Sequence, residues 1–343
     1  MSLRGPSGAS IHLRADVRAL SSLGYETTVA CLKEIDSRGA MKDPLEAEIL
    51  SFEPLVQKWP RRYRELGEIV DGRRLARRAS LERPFDLIYE RFSLFCDGGM
   101  RLARQGGTRR IVEINAPLAL ERASLRFHRL AGFLEGQILR SADRVVAVST
   151  WLADWAIFEV GCHSDRVRVV HNGATTQLGA RDSTREKYKL KGLVFGFVGS
   201  FRPWHGLELI PQILDALPEA TALVVGSGPV SPPTHPRLIN MGRVEPAEVP
   251  DLIAAMDVAI APYPLESPPW FCPLKIQEYL AQGVPVVATD VGECRHLIGA
   301  AGQVLATEDP AAWAMAIDNQ AGQSYPPRKR TWTTAMGEAL EHS

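Results

Sequence analysis

The chain has 343 residues, more than one hydrophobic core usually serves, so two α/β domains are expected. Its 40 Lys and Arg balance 40 Asp and Glu, which argues against a nucleic-acid-binding protein, where a basic excess is the rule. Apolar residues at 45% and charged residues at 23% exclude a largely disordered chain.

The neutral total hides an asymmetry. Through Val170 there are 27 Lys and Arg against 22 Asp and Glu, and after it 13 against 18. The two halves are therefore expected to face different partners. No apolar run approaches the roughly 18–20 residues of a membrane span. The opening MSLRGPSGAS lacks the apolar stretch of a signal peptide, so a cytoplasmic protein is expected. Cys31, Cys96, Cys162, Cys272 and Cys294 are scattered and form no CxxC pair, which reads as reduced thiols.

In chain order, a Gly/Ser-rich loop (Gly5, Gly8, Ser10) runs straight into a helical apolar period over residues 11–23. A first strand would normally precede such a loop. The expectation is therefore that the N-terminal sheet lacks its first strand, or that the chain starts downstream of the true beginning. Strand patterns follow at 27–31, 87–89, 110–114, 144–148 and 167–170, with a helix over 125–140. A basic run, Arg61, Arg62, Arg64, Arg73, Arg74, Arg77 and Arg78, reads as a solvated helix face or as a patch for anionic lipid. The polar stretch 177–192 carries no apolar period and is placed as the join between domains. Beyond it, strands at 194–199, 222–225, 258–261, 285–288 and 303–305 alternate with helices over 207–217, 249–256 and 274–282. Such alternation predicts doubly wound parallel sheets.

Three blocks carry chemistry. In residues 194–206 a strand ends at Gly199, a loop carries Ser200, Arg202 and His205, and a helix starts after Gly206. Main-chain N–H groups and the helix dipole there suit an anion. In residues 273–289 a helix from Leu274 places Lys275 and Glu278 three apart on one face. A carboxylate so placed could accept both ribose hydroxyls, and the lysine could meet a phosphate. In residues 223–229, Gly226 and Gly228 let main chain approach a ligand, but Ser231 stands where a dinucleotide fingerprint needs its third glycine. In the first half, Glu113 and Asn115 alternate on one side of a strand, and Tyr89, Glu90 and Arg91 end another.

Together with residues 143–149 (DRVVAVS), 167–173 (VRVVHNG), 197–206 (FVGSFRPWHG), 224–229 (VVGSGP), 242–244 (GRV), 257–262 (DVAIAP) and 278–289 (EYLAQGVPVVAT), these blocks resemble family 4 glycosyltransferases, retaining enzymes of GT-B architecture. The resemblance implies two Rossmann-like domains facing a cleft. They are expected at 1–176 for the acceptor side and 177–325 for the nucleotide-sugar, with 326–343 as a last helix crossing back. It implies a UDP- or GDP-sugar donor held by Gly199, Ser200, Gly226, Gly228, Leu274, Lys275 and Glu278, with Arg243 and Val244 bordering the base. Asn115, Arg202, His205 and Glu278 are the expected catalytic groups. Gly8, His12, Glu90, Arg91 and Glu113 are expected beside a glycan, lipid-linked or small-molecule acceptor. No Asp-x-Asp is present, so neither metal nor other cofactor is called for. Peripheral contact with an anionic membrane at its inner face is expected, and no nucleic acid.

The sequence departs from the family pattern at four positions. Ser200 and His205 stand where the family usually has Arg and Lys, Trp270 stands where it has the first of two glutamates, and Asn115 where relatives often carry His. With His205 titrating near pH 7, donor affinity is expected to fall as pH rises. The substitutions leave two rival readings open: a non-catalytic or truncated GT-B nucleotide-sugar-binding protein, and a sugar-nucleotide epimerase or hydrolase.

Overall fold

A computed structural model describes residues 8–31, 47–51, 53–82 and 84–341. Gly5 of the opening loop lies outside them. The chain divides into two compact units, residues 1–171 with 332–343, and residues 172–331.

The first unit runs α1 (Gly8–Ser22), β1 (Thr28–Cys31), β2 (Glu48–Ser51), α2 (Arg64–Ala79), β3 (Leu87–Arg91), α3 (Gly98–Gly106), β4 (Arg109–Ile114), α4 (Leu118–Glu121), α5 (His128–Arg140), β5 (Arg144–Ala147), α6 (Thr150–Phe158) and β6 (Val167–Val169). Among the described residues β3, β4, β5 and β6 form a parallel four-stranded sheet in that order, and β1 and β2 a separate parallel pair. Side chains alternate across the sheet. Leu87, Tyr89, Ile111 and Val146 pack with Ala19 and Leu20 of α1. Glu90 and Arg110 point to the opposite face, where Arg110 donates to the Ile138 carbonyl of α5 and to Ser141 Oγ (2.9 Å).

The second unit runs α7 (Arg181–Lys187), β7 (Val194–Val198), α8 (Leu209–Ala216), β8 (Thr221–Val225), β9 (Leu238–Gly242), α9 (Val249–Ala254), β10 (Val258–Ala261), α10 (Leu274–Ala281), β11 (Val286–Thr289), α11 (Cys294–Ile298), β12 (Gly302–Leu305) and α12 (Pro310–Gln320). Its six strands are parallel, in the order β12, β11, β10, β7, β8, β9. Phe195 and Phe197 enter a core shared with α8 and α12, while Val194 and Val198 enter one shared with α9, α10 and α11. Helices thus cover both faces, as near-continuous apolar strands require. The last helix, α13 (Trp332–Leu340), packs against α1 through Ala335, Met336 and Ala339.

The polar join expected at 177–192 contains α7, which is a correction. This helix lacks an apolar stripe because ionic and carbonyl contacts hold it instead. Arg181 donates to the Ala254 (2.8 Å) and Met256 (2.6 Å) carbonyls, and Arg185 to the Ala255 carbonyl (3.0 Å) and Asp257 (3.1 Å). The two arginines thereby cap the carbonyl end of α9. None of the described helices is long and apolar enough to cross a membrane.

Candidate functional site

The second sheet sets its own site. From β7 the chain steps outward to β8 and β9, then returns to place β10 on the other side of β7. Loops leaving the ends of β7 and β10 diverge, and such a switch point is where doubly wound sheets hold ligands. The neighbouring loops are tied together by main-chain hydrogen bonds. Gly199 N donates to Val225 O (3.0 Å), Phe201 N to Ser227 O (3.2 Å), Val230 N to Phe201 O (3.2 Å) and Gly226 N to Gly242 O (2.7 Å). Gly226 is required for this approach. Its φ is +131°, and a Cβ there would lie 1.9 Å from Gly199 O. Gly228 lies in the same loop, exposed Arg243 directly follows Gly242, and half-buried Val244 packs on the core.

Lys275 enters the switch point from the first turn of α10, just after Leu274. It is 8% exposed, and its Nζ lies 3.9 Å from the centroid of Phe197 and 5.1 Å from that of Tyr263. A Cβ on Gly199 would sit 3.3 Å from that Nζ. The two rings partly compensate the charge, yet Nζ has no hydrogen-bond partner. Burial pushes its pKa down to about 7, with Glu278 the main group opposing the fall. Burial likewise lifts half-buried Glu278 to about 7, with Lys275 opposing. No side chain caps α10 at Pro273. A buried ammonium without a partner beside an uncapped helix start can receive an anion.

His205 is where expectation and structure part. The ring is 7% exposed, among Phe197 (centroids 5.3 Å apart), Tyr263 (6.0 Å) and Trp204 (6.2 Å). Burial and then Lys275 push its pKa down to about 3, although a hydrogen bond to the Ser200 main chain opposes this. His205 is therefore neutral across the physiological range, and the expected titration near pH 7 does not occur on it. Its Nδ1 has no partner. Exposed Ser200 begins the same loop, and half-buried Arg202 holds its guanidinium 5.8 Å above the ring of exposed Trp204.

The first unit gathers a second set of charged groups. Glu113 is at its centre. Its Oε2 accepts from Tyr89 Oη (2.7 Å), and its Oε1 accepts from Asn115 Nδ2 (2.6 Å) and lies 3.2 Å from His12 Nε2. Arg91 stands 3.7 Å from Oε1, and Asp16 3.4 Å from His12 Nε2. The His12 ring tilts against Trp332, centroids 4.7 Å apart. Burial alone would raise the Glu113 pKa, but His12, Arg91 and the Asn115 amide outweigh it and hold the carboxyl well below its usual range. Burial and the Glu113 charge raise Asp16 well above its own. His12, Asp16 and Glu113 could approach a metal together. The set does not fit one, because Tyr89, Asn115 and His12 already use the Glu113 oxygens and Arg91 brings a positive charge.

Asn115 is half-buried, whereas Glu113 and His12 are buried within the unit. Glu90 is not part of this set. It sits on the other face of β3 and pairs with buried Arg110 (2.8 Å), because neighbouring strand residues point to opposite sides. Gly8 begins α1 exposed, and, its own helix turn aside, none of the described residues lies within 4 Å of where a Cβ would stand. Asp16 was missed, although its i,i+4 spacing from His12 was a readable signal. Trp332 and Tyr263 come from distant parts of the chain and had none. The basic run also divides: Arg73 pairs with Asp97, Arg74 with Asp71 and Arg78 with Glu82.

Comparison with known proteins now bears on this geometry. A family model described as glycosyltransferase family 4 matches residues 6–178, and one described as glycosyl transferases group 1 matches residues 192–321. A putative teichuronic acid biosynthesis glycosyltransferase of Bacillus subtilis is 30% identical over 171 residues, 46% of this chain and 43% of that protein. The chain spans about half the length of the curated relatives it matches. Among solved structures, sucrose-phosphate synthase from Thermosynechococcus elongatus aligns with a TM-score of 0.71 at 18% identity, over 97% of this chain and 88% of that one. Anabaena HepE, crystallised with UDP and glucose, aligns with a TM-score of 0.65 at 17% identity, over 98% and 92%. Half of the sequence matches the family model, and both Rossmann-like units match the fold: this chain belongs to the family 4, group 1 glycosyltransferases and has the GT-B fold.

Proposed function

We propose that this protein transfers a sugar from a nucleoside-diphosphate sugar to an acceptor hydroxyl, with retention of anomeric configuration. The observation that carries the reading is Lys275 Nζ, a buried cation with no partner at the switch point of the second sheet. Breaking the anomeric C–O bond places negative charge on the departing diphosphate, and a fixed cation in a dry site stabilises that charge most where it develops. Lys275, Arg202 and the first-turn N–H groups of α10 would hold the diphosphate, with neutral His205 and Ser200 as hydrogen-bonding groups. Glu278 would take the ribose, and Arg243 and Val244 would border the base. Lys275 thereby joins Arg202, from the neighbouring helix, where Ser200 and His205 stand in place of the family's two loop cations.

On the first unit, Asn115 is the group able to meet a sugar. Glu113 consumes one of its amide N–H groups, which leaves Oδ1 as an acceptor and the second N–H as a donor for a ligand. An amide cannot serve as a base, so Asn115 would bind a hydroxyl without removing its proton. Retention follows if the acceptor hydroxyl attacks from the leaving-group side, with the departing phosphate taking its proton. The relative in teichuronic acid biosynthesis supports a glycan acceptor, and the UDP in HepE supports a uridine donor. The test is nucleotide release from a panel of UDP- and GDP-sugars with glycan and lipid-linked acceptors, the product anomer read by NMR. Release that needs no acceptor, with an altered free sugar nucleotide as product, would overturn transfer in favour of epimerisation or hydrolysis.

A further inference from the structure

The arginines that the sequence presents as one run serve two purposes. Three of those later in α2 face acids: Arg73 shares Asp97 with Arg101 of α3, Arg74 meets Asp71 and Arg78 meets Glu82. Those at its start are brought beside a second basic segment by a single carboxylate. Glu65 accepts from the main-chain N–H groups of Arg126 (3.2 Å) and Phe127 (2.8 Å). The turn Arg61–Tyr63 and Arg64 therefore adjoin the loop that leads into α5. Arg122 belongs to the same place, since burial lifts the neighbouring Glu68 carboxyl and Arg122 opposes that rise.

Arg61, Arg62, Arg64, Arg122, Arg126 and Arg129 are all exposed. Apolar groups are set among them. Arg62 lies 5.0 Å above the ring of Tyr63 and Arg126 5.9 Å above that of Phe127. Leu120 is 53% and Phe133 60% exposed, and Phe133 shares a face of α5 with Arg129, four residues earlier. Of the acids nearby, Glu65 is occupied by main-chain N–H groups, Glu68 is half-buried, and exposed Glu121 is outnumbered by the six arginines around it.

We infer that this patch docks the protein on the anionic headgroups of a phospholipid bilayer. Six arginines match the negative surface, and the exposed Leu120 and Phe133 match the boundary between headgroups and acyl chains. Arginine does both there, its stem lying along apolar surface while its head meets phosphate. A nucleic acid fits less well. Of the exposed apolar groups only Phe133 offers a ring for base stacking, Tyr63 and Phe127 being half-buried beneath arginines, and the chain as a whole has no basic excess. The inference does not rest on the proposed reaction and needs no donor to test.

The experiment is sedimentation of the full chain with vesicles of phosphatidylcholine alone or with phosphatidylglycerol, at low and high salt. The wild type is expected to bind the mixed vesicles in a salt-sensitive way and the neutral ones weakly. Reversal of four charges (R61E, R64E, R126E, R129E) should weaken binding by about tenfold or more, since each cation near an anionic surface contributes on the order of a tenfold factor or less. R77E with R78E, a charge reversal later on α2, should leave binding close to wild type. Circular dichroism checks that both variants fold. A fourth sample, F133S, keeps every charge and should weaken the binding that remains at high salt. Absence of binding to anionic vesicles would overturn the inference, as would equal loss in the two charge-reversal variants or tighter binding of a short RNA than of vesicles.

Discussion

The two units each bury a set of charged side chains, and the sets differ in how far they are satisfied. In the first, around Glu113, both of its oxygens have partners, and the atoms of that set without hydrogen bonds, Asp16 Oδ2 and Arg91 Nη1, still lie within ion-pair distance of His12 and Glu113; Arg110 Nε, on the other face of the sheet, is a further buried atom without one. In the second, Lys275 Nζ and His205 Nδ1 are buried with neither. Folding leaves buried polar atoms unpaired rarely, because each costs about 1–3 kcal/mol. A closed network is best understood as holding α1, β3 and β4 in place and aiming Asn115. An open pair of groups at a sheet switch point is best understood as a site that a ligand completes.

That contrast can be broken by mutation. Glu113→Ala should have the largest effect, on stability, because it strands His12 and Arg91 in the interior. A loss of about 3–5 kcal/mol is expected in denaturant unfolding followed by circular dichroism. A loss below about 1 kcal/mol would show that the network is not holding the unit together. Lys275→Met should act the other way round. It removes an unpaired buried charge, so stability should hold or rise, while kcat/KM for sugar transfer falls by roughly 10²–10³-fold. Comparable losses of stability and activity would erase the distinction between the sets.

Titration sharpens the contrast further. The protonated form of Lys275 is the one that attracts a diphosphate, and its pKa is pushed down to about 7. Donor affinity should therefore be full below that value and decline above it, by up to about tenfold per pH unit until the ligand's own charge restores the proton. Lys275→Arg keeps its charge at any of these pH values, so the decline above about 7 should disappear and leave only what Glu278, lifted to about 7, contributes, even if activity is lower. His205→Gln should leave the wild-type profile in place, since His205 is already neutral. A profile that flattens in His205→Gln would return the titration to the histidine. The smallest effect belongs to a surface pair. Arg78→Ala, which loses only the exposed Glu82 contact, should change stability by no more than about 1 kcal/mol in the same unfolding assay.

Much of the fold was legible because its strands are apolar enough to read alone. β7, β10 and β11 are buried along their whole length and stand out as β-branched or aromatic runs. The strands β2 and β9 were not legible. Each is partly exposed, and Asn240 interrupts the apolar run of β9. Helix α7 escaped for a related reason, since arginines rather than an apolar stripe attach it. At the site, Lys275 and the glycines could be read from spacing. The state of His205 could not, because Phe197 precedes it by eight residues and Tyr263 arrives from the loop after β10 to exclude water. Strand alternation placed Glu113 beside Asn115, but the same rule, applied to β3, puts Glu90 on the far side from Tyr89 and Arg91.

The central claim is that the second unit holds a nucleoside diphosphate through Lys275. Isothermal titration of UDP and GDP into the wild type and Lys275→Met, at pH 6.5, tests it most directly. The account predicts that one of the two nucleotides binds the wild type and binds Lys275→Met at least about tenfold more weakly, the variant remaining folded. Equal affinity in the two proteins, or no binding of either nucleotide to the wild type, would contradict it.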